Sequence, residues 1–242
     1  MSRPTVVLFD IDGTLVTTGG AGRRALEVAF GRTHGRQDAL HHFPLDGMTD
    51  RSIVREGLRF LGVEPTASAI ETLLGVYVSC LEAEVAAVPA PRYRVHPGME
   101  AAILAARASG MAVGLGTGNI REGARVKLER VRLYQHFDFG GFGDDHELRP
   151  ELIRVGAERG ARALGLPLGA VRVVVIGDTP KDVAAALAIG AEAIGVGTGS
   201  FRPQALLQAG ATHAFDTLEH PGALEAVLGT SGPAAGDPGR PR

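Results

Sequence analysis

The chain has 242 residues, 45% of them hydrophobic and 21% charged, with a formal net charge of -2, a balance that excludes a disordered or fibrous protein. Near-neutral charge gives no global field to hold a polyanion, so nucleic acid is not an expected partner. Its length suits one large α/β domain, or a core domain carrying a smaller insert.

The basic residues are 23 Arg and only 2 Lys, Lys127 and Lys181, which amid abundant Ala and Gly reads as genome composition before function. Cys80 is the single cysteine, so the chain alone builds no disulfide and no multi-thiolate metal site, and a reducing, cytoplasmic setting is expected. The first apolar run stops at Asp10, too soon for a signal h-region. The least polar stretch, 183–196, falls short of the ~20 apolar residues of a membrane span, and no membrane partner is expected.

In chain order, the first predicted strand is 5–9, a β-branched and Leu-rich run stopped by Asp10. A block from about 20 to 88 follows with helical spacing and no convincing strand. Within it, 50–61 carries Ile53, Val54, Leu58 and Leu61, and 67–88 carries apolar residues from Ile70 to Val85 at steps of three and four. Pro89 and Pro91 mark a return linker, since neither continues a helix comfortably. Strands at 111–116, 171–176 and 191–196 then alternate with helices at 97–109, 121–131, 150–164, 180–189, 203–208 and 218–228. Strand followed by helix, repeated, predicts a doubly wound α/β core with a parallel sheet. The domains are expected to be a core of 1–16 and 92–228, an all-helical cap of 17–91, and a tail of 229–242. That tail holds four Gly and three Pro and is expected to fray.

Candidate chemistry falls where predicted strands end, which is where open α/β sheets bind ligands. Asp10-Ile11-Asp12-Gly13-Thr14-Leu15 closes the first strand, and alternate residues let Asp10 and Asp12 face one ligand unless Gly13 bends the chain. A bare Asp-x-Asp is equally a turn with two helix-capping aspartates. Thr117-Gly118-Asn119 follows another strand and opens a helix; its hydroxyl, its backbone N–H groups and the helix start suit a phosphate. In Gly177-Asp178-Thr179-Pro180-Lys181-Asp182, an N-cap with proline after it explains Thr179 and Pro180, but not Asp178 or Asp182. Joined to Asp10 and Asp12, these acids make a pocket that is costly unless a cation fills it, and an all-oxygen set suits Mg²⁺. Arg149, at a predicted helix start, is a candidate fixed cation. His41 and His42 read as surface residues.

These three motifs, in this order, resemble the haloacid dehalogenase superfamily, and in particular its phosphatases similar to phosphoglycolate phosphatase and β-phosphoglucomutase. The resemblance spans about 5–216. It implies a Rossmann-like core with a helical cap and Mg²⁺ as cofactor, acting on a small-molecule phosphate ester. It further implies Asp10 as nucleophile, Asp12 as general acid and base, and Thr117, Gly118 and Asn119 as phosphate ligands. Asp10, Asp12, Asp178 and Asp182 are the implied metal residues. Where the family usually has a lysine this chain has Arg149, whose charge suits phosphate through a planar fork; spacing favours it over Lys181. Gly47 to Arg51 resembles a cap segment facing the active site, making Thr49, Asp50 and Arg51 candidates for specificity, though Thr49 or Asp50 is equally a simple N-cap. For Asp12 to donate a proton near neutral pH, burial and neighbouring carboxylates must raise its pKa. Besides hydrolysis, a phosphomutase fits the same nucleophile, and a receiver-like or silent binding protein also uses an acidic pocket.

Overall fold

A strand covered on both faces must be apolar at nearly every residue, and β1 (Thr5–Phe9) is buried throughout. In the computed structural model, which describes residues 3–230, short strands β2 (Val16–Thr17) and β3 (Arg94–Val95) come next. After them run β4 (Ala112–Gly116), β5 (Gly140–Gly141), β6 (Arg172–Gly177), β7 (Glu192–Val196) and β8 (His213–Phe215). Six strands form one parallel sheet in the order β5-β4-β1-β6-β7-β8, with β1 between its two longest-range partners.

The strand periodicity decides which helix packs where. Val7 and Phe9 face α4 (Met99–Ala108) and α5 (Arg121–Glu129), whereas Val6 and Leu8 face α6 (Arg149–Ala163) and α7 (Pro180–Ala188). The short helices α8 (Pro203–Gln208) and α9 (Ala223–Leu228) complete the two layers. A doubly wound, Rossmann-like α/β core results.

Between β2 and β3 the chain builds α1 (Ala21–His34), α2 (Asp50–Phe60) and α3 (Ala67–Ala87), with no strand among them. Their apolar faces share one cluster, centred on Phe30, Leu58, Leu73 and Tyr77, which also takes in Ile120 and Val126 of the core side. The chain leaves and returns through an antiparallel pair, Val16 opposite Val95 and Thr17 opposite Arg94. Among the described residues, no helix is long and apolar enough to cross a membrane.

Several expected bounds shift for local reasons. The helix expected from 97 begins at Met99, because Gly98 takes the left-handed conformation as N-cap, and the one expected from 218 begins at Ala223 after Gly222 does the same. Residues 231–242 of the expected tail lie outside the described residues. Strand β5 escaped the sequence reading because Gly-Gly signals a turn. Glycine is there for contact instead: a Cβ at Gly141 would lie 1.8 Å from the carbonyl oxygen of Leu152, and one at Gly156 would lie 2.8 Å from the Gly141 nitrogen. Helix α6 thus lies directly on the sheet, which fixes Arg149 at its first turn. Gly141→Ala should therefore lose about 1–3 kcal/mol of stability in urea unfolding, through overpacking against backbone that cannot give way. A loss below a few tenths would show that α6 can shift.

Candidate functional site

Three motifs far apart in sequence meet because their strands are neighbours. Asp10 follows β1, Thr117 follows β4 and Asp178 follows β6, at the carboxyl ends of three adjacent strands. Gly13, at φ 81°, turns the chain away beside Asp178, where a Cβ would come within 2.4 Å of Asp178 Oδ2. The Thr14 hydroxyl donates to Asp178 Oδ1 at 2.9 Å.

Asp10, Asp178 and Asp182 each bring a carboxylate oxygen within 4.8 Å of the others, and all three are buried. Arg149 enters this group from α6, with Nη2 at 2.9 Å from Asp10 Oδ1 and also against Asp182 Oδ1. Its Nη1 donates to the Gly47 carbonyl at 3.3 Å. Asp182 has a second duty: its Oδ2 accepts from the Thr179 N–H at 3.0 Å and hydroxyl at 2.7 Å, forming the reciprocal cap of α7. Capping therefore explains one oxygen of Asp182, and the other faces Arg149. Lys181 lies outside this cluster; its Nζ donates to the Asp46 carbonyl at 2.8 Å.

Burial pushes the Asp10 carboxyl up to about 7, helped by Asp182 and Asp12 and opposed by Arg149. Asp178 is pushed up to about 8 by burial, then by Asp182 and Asp10. Three carboxylates against one guanidinium leave two negative charges, which a divalent cation would neutralise. Asp182 Oδ1 is buried against Arg149 Nη2 and makes no other polar contact among the described residues. This all-oxygen set fits Mg²⁺. Arg149 Nε is likewise buried without a hydrogen-bond acceptor among the described residues, as a donor kept for a phosphoryl oxygen would be, whereas Nη2 is ion-paired with Asp10 and Asp182.

Asp12 belongs to a different group, which corrects the expectation that its side chain joins the metal cluster. Its Oδ2 accepts from Lys127 Nζ at 2.6 Å and Asn119 Nδ2 at 2.8 Å, and Lys127 also donates to Asn119 Oδ1. Burial alone would raise the Asp12 carboxyl, but the Lys127 ammonium and these hydrogen bonds hold it below its ordinary value. The expected upward shift is therefore reversed. Lys127 itself is buried and stays charged, because Asp12 and Asp50 outweigh its desolvation. Sequence reasoning missed Lys127 as a site residue; its place on the inward face of α5, one of two lysines in an arginine-rich chain, was the available signal.

The candidate phosphate loop also has an arrangement different from that expected. The Thr117 hydroxyl accepts from the Asn119 N–H at 3.3 Å and side-chain amide at 3.0 Å, so the Asn119 N–H is turned inward. The start of α5 is already met by carboxylates, Asp50 at Ile120 N (2.9 Å) and Asp144 at Arg121 N. Gly118 and Asn119 nonetheless line the cavity beside Asp10 and Arg149.

The segment 47–51 closes over this loop. Asp50 N donates to the Gly118 carbonyl at 2.8 Å, and the Thr49 hydroxyl caps α2 while donating to the Glu147 carbonyl at 3.2 Å. Asp50 lines the cavity, whereas Arg51 pairs with Glu71 and does not line it. His41 is surface-exposed as expected, and His42 stacks on Phe60 at 3.9 Å between ring centroids. The cavity, open at one side, has a volume of about 360 Å³, the scale of a small-molecule site.

The sequence matches the family model of haloacid dehalogenase-like hydrolases over residues 7–187, and a second, of HAD-like hydrolases, over 154–221. No curated protein matches the chain. Among solved structures, it is similar to a predicted phosphatase from Clostridium acetobutylicum (19% identity, TM-score 0.66, covering 94% of this chain and 100% of that one). It is similar also to CbbY from Rhodobacter sphaeroides in complex with phosphate (19% identity, TM-score 0.67, 93% and 100% covered). A CbbY mutant in complex with xylulose-(1,5)bisphosphate matches with the same identity and TM-score, over 91% and 97% of the two chains.

Asp50 gives the site a measurable pH signature. Burial raises its carboxyl from 3.8 to about 6, against the pull of Lys127 and the Ile120 N–H. Below the lower value both folded and unfolded chains carry the proton; between the two only the unfolded chain ionises, so stability falls as pH rises. Asp50→Asn keeps an acceptor for Ile120 N and removes this loss. The variant should gain on wild type from near zero at pH 3.5 to as much as about 3 kcal/mol at pH 7, then level off, in denaturant titrations. A difference independent of pH would refute the assignment.

Proposed function

The chain belongs to the haloacid dehalogenase-like hydrolases, and from that premise we propose that it is a Mg²⁺-dependent phosphatase of small-molecule phosphate monoesters, working through an aspartyl-phosphate on Asp10. The observation that carries this reading is the Asp10, Asp178 and Asp182 cluster around Arg149 at the ends of adjacent strands. A phosphomonoester resists attack because its oxygens repel a nucleophile and its alkoxide leaves poorly, so a site must supply position, positive charge and a proton.

Asp10 supplies position. Arg149 touches it at 2.9 Å, holding its carboxylate aimed into the cavity and opposing, without cancelling, the upward push of burial, so that a bound cation would complete its ionisation. The Arg149 Nε–H, which has no acceptor among the described residues, then takes a phosphoryl oxygen. Mg²⁺, held by Asp10, Asp178 and Asp182, would add the charge neutralisation that lets a carboxylate approach a phosphate dianion.

Asp12 handles the proton. As a carboxylate beside Lys127 it is ready to act as base toward the water that cleaves the acyl-phosphate. In the first half-reaction, a phosphate dianion beside Asp12 pushes its pKa back up, so it meets the leaving oxygen protonated. Segment 17–91 serves as the cap: its bonds through Thr49 and Asp50 tie it to the core loops over the cavity, from which its closure on substrate would exclude water.

Phosphate release from p-nitrophenyl phosphate tests the reading. Wild type should turn over with Mg²⁺ and fall to background after chelation, recovering when Mg²⁺ is returned. Asp10→Asn should lose at least about a thousandfold in kcat. Undiminished turnover by that variant, or by metal-stripped protein, would overturn the proposal. Free phosphate in stoichiometric yield from hexose phosphates, rather than an isomerised sugar phosphate, separates hydrolase from mutase.

A further inference from the structure

The end of the cavity away from the carboxylate cluster contains a group that the chemistry above leaves unused. Tyr77, on α3, is fully buried, and its hydroxyl has no hydrogen-bonding partner among the described residues. It nevertheless lines the cavity. A buried, unsatisfied hydroxyl costs about 1–3 kcal/mol, which phenylalanine would avoid. The space before it is left open by Gly22 of α1, whose missing Cβ would lie 3.9 Å from Tyr77 Oη and 3.2 Å from Lys127 Nζ. The Tyr77 hydroxyl thus stands beside the Lys127 and Asp12 pair, on the side from which a leaving alcohol is protonated.

The charges around this end decide what kind of alcohol fits. Lys127 is spent on Asp12 and Asn119. Arg51 is taken by Glu71, and Arg55 by Glu147 through two bonds of 2.7 and 2.8 Å. Arg23 lines the cavity but is exposed at its mouth, 3.7 Å from Glu27, with its Nη1 on the Leu40 carbonyl at 3.4 Å. Against these, Asp50, whose carboxylate accepts from Ile120 N, and Asp46, whose carboxylate accepts from Ser200 and whose carbonyl accepts from Lys181, add two acids to the cavity lining. Carboxylates accept hydrogen bonds from hydroxyls and repel a second anion.

Resting on the phosphatase reading, we propose that the substrate is the monophosphate of a neutral, polyhydroxylated alcohol, with one of its oxygens accepting the Tyr77 hydroxyl hydrogen. Esters whose alcohol carries a carboxylate or second phosphate are disfavoured. Tyr77 is then a specificity residue: it touches the alcohol half and takes no part in moving the proton.

The test measures kcat/KM with Mg²⁺ for p-nitrophenyl phosphate, ribose 5-phosphate, glucose 6-phosphate, phosphoglycolate and fructose 1,6-bisphosphate. Wild type should favour the better sugar monophosphate over phosphoglycolate and the bisphosphate by at least about tenfold. Tyr77→Phe should lower the ratio of that sugar ester to p-nitrophenyl phosphate by about tenfold, with a melting temperature equal to or above wild type. A merely structural tyrosine would change both esters together. Preference for phosphoglycolate or the bisphosphate, or an unchanged ratio in Tyr77→Phe, overturns the inference and leaves the phosphatase reading standing. A wild type that releases phosphate from none of the five overturns that reading, and this inference with it.

Discussion

Buried acids of like charge do not gather unless positive charge stands among them, and Arg149 is what this chain places between Asp10 and Asp182. Its position depends on the bare contact between α6 and the sheet. Gly141 and Gly156 let the helix approach backbone to backbone, and the guanidinium at the helix's first turn reaches the end of β1. One nitrogen, Nη2, meets both carboxylates, while Nη1 reaches the Gly47 carbonyl and so ties the same side chain to the segment over the cavity. Even with Arg149 in place, Asp10 and Asp178 remain well above ordinary carboxylate values. The protein part of the site is therefore built short of positive charge.

The same accounting explains how the helical segment is joined to the core. Asp50 would be an expensive residue to bury at the start of α2, yet its backbone N–H and its carboxylate both engage the Gly118–Ile120 turn. One side chain thereby closes a helix start on α5 and ties α2 to the loop after β4. Thr49 and Arg55 extend the seam to Glu147, just ahead of Arg149. The segment that covers the cavity is thus bonded to the two loops that carry the candidate phosphate contacts.

What the sequence made legible follows from which signals are local. The long strands declared themselves as apolar runs, and α2 and α7 through Thr49 and Thr179 as N-caps, because burial on both faces and capping leave marks within a few residues. Asp10, Asp178 and Arg149 were legible as candidates because each sits where a strand ends or a helix begins. Strand β5 was hidden, since two glycines serve a close approach that only the partner helix reveals. The orientation of Asp12 was hidden too. Alternation places it on the side of Asp10, but Lys127, distant in sequence, draws its carboxylate into a separate pair.

That separation gives the cavity two differently charged ends. Around Asp10 the acids outnumber Arg149, so the pocket accepts further positive charge; around Asp12 the Lys127 ammonium is already matched. A carboxylate short of countercharge suits a group that must meet a phosphate alongside a metal ion. One held as an anion by a neighbouring ammonium suits a group whose proton affinity changes as the substrate's charge arrives. The two aspartates stand two residues apart on one turn, yet the helices behind them, α6 for Asp10 and α5 for Asp12, give them opposite electrostatic surroundings. The proposed division of labour between nucleophile and acid-base group therefore rests on tertiary packing rather than on the Asp-x-Asp motif alone.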